Sequence, residues 1–163
     1  QILKRFPEED ALSPASFFGL YYVTQALLQM GGEEKVFPAM KVWEEMADFG
    51  LSAWAEETTY WRSLCHAWSA HPALLFLEDV LGIKPGSPGY SFLIIRPRPM
   101  GLTNAHGGIP VPGGRADVAW ETGKGKMKVR VTLPQGITGK LVLPDGSERE
   151  LPPGETEAEC GLS

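Results

Sequence analysis

Apolar positions recur at two different periods along the chain, and the period changes near residue 89. Phe17, Leu20, Tyr21, Thr24, Leu27 and Leu28 follow the three-and-four spacing of an amphipathic helix of about four turns. Ser13-Pro14 reads as its N-cap with proline at the first helical position, and Gly31-Gly32 ends it. A second stripe, Val36, Met40, Trp43, Met46 and Ala47, runs to Gly50, with Pro38 tolerable only in the first turn. The third covers roughly His71 to Leu81, started by Pro72 and stopped by Gly82. After Gly89 the pattern becomes short and β-like in Tyr90–Ile95, Asp117–Glu121, Met127–Leu133 and Lys140–Leu143. Val129, Val131 and Leu133 share one face of such a strand while Lys128, Arg130 and Thr132 share the other. Turns such as Pro144-Asp145-Gly146 separate the runs. The fold class predicted is α+β, helices followed by a small antiparallel β-sandwich, with the last dozen residues loose.

Composition divides at the same place. Residues 1–89 hold 6 basic and 12 acidic side chains and four of the five Trp, whereas residues 90–163 hold 9 and 8, with 12 of the 19 Gly and 8 of the 14 Pro. That punctuation suits short strands and excludes long helices. Net charge is −5 with no basic stripe, which argues against nucleic acid as a partner. No apolar run approaches the roughly 18 residues of a membrane-spanning helix, so no membrane partner is expected. Cys65 and Cys160 lie far apart with no C-x-x-C, against both a disulfide scaffold and a zinc site. No secretory leader is visible; the compartment is undecided, with the cytoplasm favoured. The opening Gln1-Ile2-Leu3-Lys4, without Met, leads us to expect a piece of a longer polypeptide.

Candidate chemistry gathers between the second and third helices. Leu51–Ser69 carries three Trp, one His, one Arg and two Glu, and so aromatic a connection reads as an ordered surface built to contact something. Glu56 and Glu57 follow Trp54; a carboxylate beside indole suits carbohydrate chemistry, since sugars stack on the ring while the acid handles a proton. The plainer reading of the pair is solvated surface. His66 and His71 do not have the spacing of a zinc helix, and no metal site or cofactor is expected. Cys65 beside His66 makes a poor nucleophile pair because adjacent side chains diverge. Hydrogen-bonded packing at a helix entrance is the bland account of both histidines. Arg62 can clamp a hydroxyl-rich ligand or pair with Glu57. Gly107-Gly108 and Gly113-Gly114 read as turns, and Trp120 as core.

Three segments in order, Gly50-Leu-Ser-Ala-Trp-Ala-Glu56, Arg62-Ser-Leu-Cys-His-Ala-Trp-Ser-Ala-His-Pro72 and Leu81-Gly-Ile-Lys-Pro-Gly-Ser-Pro-Gly-Tyr90, resemble the C-terminal stretch of family-78 glycoside hydrolases, the α-L-rhamnosidases. The resemblance implies that residues 1–89 are the last helices of an (α/α)6 catalytic barrel and 90–163 a C-terminal β-sandwich domain. It implies inverting hydrolysis of terminal non-reducing α-L-rhamnose, with one Glu protonating the leaving oxygen and a second activating water. By the family's W-A-E segment Glu56 is the base, with Glu57 a neighbour still open; by its S-x-x-H segment His66 bonds sugar hydroxyls; Trp54 and Trp68 stack on or wall the ring. The implied acid lies upstream of this chain. Rhamnose-containing glycosides or polysaccharides and the remainder of the barrel are then the expected partners, with self-association of the isolated chain through the helical face left uncovered, and calcium finds no Asp-rich loop here. The alternatives are a non-catalytic carbohydrate-binding or structural capping module, and another (α/α)6 glycosidase or lyase.

Overall fold

In the computed structural model, which describes residues 15–57 and 63–162, Ser16 is the residue that opens the first helix. Its hydroxyl accepts from the backbone N–H of Gly19 at 3.2 Å and so satisfies a donor that the first turn leaves over. Ser13-Pro14, the cap expected from sequence, lies outside the described residues. Helix α1 (Phe17–Gln29) buries Phe17, Leu20, Thr24, Leu27 and Leu28 along one face. It ends where Gly31 takes φ +74° and the Gly32 N–H returns to the Leu27 carbonyl at 2.8 Å. The second stripe is divided: Met40, at φ −95° and ψ 4°, separates α2 (Val36–Ala39) from α3 (Lys41–Asp48). Pro38 sits in the short first piece, where its missing N–H costs nothing. The third runs as α4 (His71–Leu75) and then widens into a π-type turn, Phe76–Val80, closed by Leu81 N–H bonding Phe76 O at 2.9 Å.

Two compact units divide between Pro72 and Ala73. Composition changes later, at Gly89, because the residues between are apolar helix and turn that nevertheless tie into strand structure. Strand β1 (Ile83–Pro85) pairs antiparallel with β2 (Phe92–Ile95), and the Arg96 N–H bonds the Gly82 carbonyl at 2.9 Å. Gly82 itself is at φ +79°, and a Cβ there would run into the Arg96 and Pro97 backbone.

The second unit is a sandwich of two four-stranded sheets. One has the order β1-β2-β6-β7, where β6 is Thr138–Val142 and β7 Glu148–Leu151; the β2–β6 pair is parallel and the other pairs antiparallel. The other has the order β3-β4-β5-β8, all antiparallel: Asn104–Val111, Gly114–Gly123, Lys126–Leu133 and Gly154–Gly161. Strict alternation along β5 buries Met127, Val129, Val131 and Leu133 at 2% exposure or less, so the periodicity read from sequence is the inner face. Trp120 is core: 3% exposed, with its indole N–H donating to the Val80 carbonyl at 2.9 Å. Lys84 bonds the buried Asp79 carboxylate at 2.8 Å from the partly exposed side.

Two strand assignments correct the sequence reading. Gly107-Gly108 is no turn but the middle of β3, an edge strand in which a Cβ on Gly107 would meet Leu81 at 2.8 Å. Gly113 does turn, with Pro112, between Val111 and Gly114. Gly154–Gly161, within the stretch expected to be loose, form β8: Thr156, Ala158 and Cys160 lean inward while Glu155, Glu157 and Glu159 cover the edge with charge. Burial pushes the Cys160 thiol up; Cys160 and the exposed Cys65 are both free thiols.

Candidate functional site

The described parts of the aromatic connection after α3, residues 51–57 and 63–69, are tied together by backbone bonds as much as by side chains. Glu56 N–H bonds the Ser63 carbonyl at 2.8 Å and His66 N–H bonds the Trp54 carbonyl at 2.8 Å, so residues 54–56 lie alongside residues 63–66. The Trp68 indole N–H donates to the Glu56 carbonyl at 3.3 Å, and the Ser69 hydroxyl donates to the Ala55 carbonyl. Trp43 of α3 closes the set from below, its N–H on Ser69 O at 2.8 Å. Ala55 is fully buried between Trp54, 40% exposed, and the half-buried Glu56.

Four residues singled out from sequence thus meet. Trp54 and His66 are joined through the backbone, Glu56 and Trp68 through the indole bond, and His66 and Trp68 through ring contact at 4.2 Å and 41°. An exposed indole stacked near an imidazole can seat a sugar ring and exchange hydrogen bonds with its hydroxyls, and the same segment carries the half-buried Glu56. Glu57 is half-buried too, whereas Arg62 lies outside the described residues. Ser63, not singled out from sequence, places its Oγ 3.0 Å from His66 Nδ1; the signal was its position three residues before the histidine. Among the described residues no three His, Cys, Asp or Glu side chains gather as a metal site.

His71 departs from the expected hydrogen-bonded packing. Both ring nitrogens are buried without a hydrogen-bond partner among the described residues, and the ring stands edge-on to Trp43 at 4.7 Å and Tyr21 at 6.0 Å. Desolvation lowers its pKa from 6.5 to about 4. The folded ring therefore stays neutral while the unfolded one takes up a proton as pH falls below 6.5, so stability drops across the window from 6.5 to about 4 and is unaffected above 7. We expect a loss on the order of 2 kcal/mol at the acid end. Urea midpoints of the protein and of His71→Phe at pH 7 and 4.5 measure it: the variant should lose that part of the acid sensitivity, and equal acid sensitivity in both would refute the assignment.

A hollow of about 630 Å³ lies elsewhere, over β4, β5 and β8, lined by Ala119, Glu121, Lys128, Arg130, Glu157 and Glu159 among others. Its charges already pair across the strands, Arg130 with Glu157 at 2.7 Å and Lys128 with Glu121 at 3.9 Å. The hydrogen bond from Lys126, at 2.6 Å, holds the Glu159 carboxyl below the usual carboxylate range. This is a solvated sheet face, and it contains none of Trp54, Glu56, His66 or Trp68.

Residues 82–158 match the family described as the bacterial alpha-L-rhamnosidase C-terminal domain. A curated alpha-L-rhamnosidase of Alteromonas sp. (strain LOR) is 40% identical over 73 residues, 42% of this chain and 8% of that protein. The crystal structure of the Aspergillus terreus alpha-L-rhamnosidase is similar in fold, with a TM-score of 0.84 at 17% identity over 97% of this chain and 21% of that one. The family-78 rhamnosidase of Bacillus sp. GL1 is similar at 30% identity and a TM-score of 0.72, over 80% of this chain and 15% of that one. The chain spans less than a quarter of each of these relatives. Its resemblance to the C-terminal part of the family-78 α-L-rhamnosidases therefore holds in sequence over the β unit and in fold over nearly the whole length.

Proposed function

We propose that this chain works as the C-terminal part of an inverting α-L-rhamnosidase, contributing the general base but not the general acid. The observation that carries the reading is the fixing of Glu56 on both sides: its N–H is held by Ser63 O and its carbonyl by the indole of Trp68. Glu56 is thereby anchored beside the residues that would face a sugar, which favours it over Glu57 as the base. Inversion needs a second carboxyl group roughly 6.5–9.5 Å away, with water between base and sugar. That group would come from the rest of an (α/α)6 barrel, of which residues 1–89 would be the last helices. The remaining barrel would cover the exposed Phe18, Tyr22 and Phe49, and a second copy of the chain would do so in its absence. His66 would bond sugar hydroxyls, and Trp54 and Trp68 would wall the ring.

The test is release of p-nitrophenol from its α-L-rhamnoside, with the first-formed sugar anomer read by NMR. The full-length polypeptide should turn over and yield the β-anomer first, and the 163-residue chain alone should not turn over. An α-anomer formed first would overturn inversion, and turnover by the chain alone would overturn the division of the two carboxylates. A non-catalytic binding or capping module is the second reading, favoured by the family match falling on the β unit. It expects rhamnose binding that does not depend on Glu56.

A further inference from the structure

We propose that Ser63 is a positioning residue that fixes the tautomer of His66, so that Nε2 carries the proton and donates to a hydroxyl oxygen of the bound sugar. The inference rests on the rhamnoside reading of this site. A neutral imidazole has one N–H and one bare nitrogen, and what it offers a ligand through one is set by what the other meets. Here Nδ1 meets the Ser63 hydroxyl at 3.0 Å, in a partly buried position. Either group can donate in this pair; we assign the donated proton to Ser63, because among the described residues the acceptor that its Oγ reaches is Nδ1. With Ser63 O–H donating, Nδ1 is bare and the ring proton belongs on Nε2.

Rotation of the ring is restrained as well. One face lies against Trp68 at 4.2 Å, and the backbones of both partners are pinned, Ser63 O by Glu56 N–H and His66 N–H by Trp54 O. Nε2 is on the opposite side of the ring from Nδ1, and Trp68, 45% exposed, is the wall along which a sugar would lie. Serine is thus suited to position three before the histidine because its hydroxyl gives a proton to Nδ1, which alanine cannot do and threonine can.

Ring ¹⁵N NMR of the histidine-labelled chain reads the tautomer directly, and His71 serves as the fold control through its unusually acid titration. We expect His66 in the Nε2–H form, a mixture in Ser63→Ala, and the Nε2–H form again in Ser63→Thr, with His71 unchanged throughout. In the full-length polypeptide Ser63→Ala should raise KM for an aryl α-L-rhamnoside about tenfold with kcat nearly unchanged, and Ser63→Thr should restore it. A wild-type Nδ1–H tautomer, or a tautomer in Ser63→Ala identical to wild type, overturns the proposal, as does a tautomer shift without a change in KM. His66→Ala separates the two levels. If it leaves KM unchanged, the rhamnoside reading of the site fails; if it raises KM while Ser63→Ala moves neither tautomer nor KM, only the positioning role fails.

Discussion

Glu56→Gln in the full-length polypeptide is expected to lower kcat on an aryl α-L-rhamnoside by about three orders of magnitude, with KM within about threefold. The amide keeps the size of the carboxylate but cannot take a proton from water, so the loss falls on the chemical step. Two of the bonds that hold residue 56 run through its backbone, to Ser63 O and from the Trp68 indole, and the substitution leaves both in place. Azide, a nucleophile that needs no deprotonation, should restore part of the turnover of Glu56→Gln. Glu57→Gln should stay within about threefold of the parent rate. Steady-state kinetics on the two variants decides the matter: loss in Glu57→Gln with retention in Glu56→Gln would move the base to Glu57, and retention in both would remove the catalytic reading of the loop.

The largest expected effect on stability is at Trp120. Trp120→Ala should cost about 4 kcal/mol, since it empties the volume of a 3%-exposed indole between strands and removes the donor to the Val80 carbonyl. Trp120→Phe separates the two contributions, because it fills most of the volume but leaves the Val80 carbonyl without its indole donor, at about 1–2 kcal/mol. Denaturant midpoints at neutral pH, followed by far-ultraviolet circular dichroism, check both values. A Trp120→Ala loss under about 1 kcal/mol would mean that the core of the second unit does not depend on this side chain.

Strands that bury aliphatic side chains were readable at once: the alternation in Met127–Leu133 appears as β5, Asp117–Glu121 marks the interior of β4, and Lys140–Leu143 overlaps the end of β6. The two edge strands of the β3-β4-β5-β8 sheet were not. β3 holds two glycines and Pro110, and β8 presents small inward residues between glutamates, because an edge strand needs fewer apolar contacts and benefits from charge. The helices were placed by their stripes, but the break at Met40 and the widening after Leu75 are local backbone geometry that no period records.

By itself the sequence determined the α+β class, the order of its parts and the inward faces of the central strands, all consequences of local periodicity and turn residues. Only the tertiary structure decided how Trp54, Glu56, His66 and Trp68 come together, which hydroxyl meets His66, and that His71 lies between aromatic rings without a hydrogen bond among the described residues. The physical reason is that these arrangements depend on backbone bonds spanning seven to twelve residues and on packing from α1 and α3. Neither leaves a mark on the spacing of residue types along the chain.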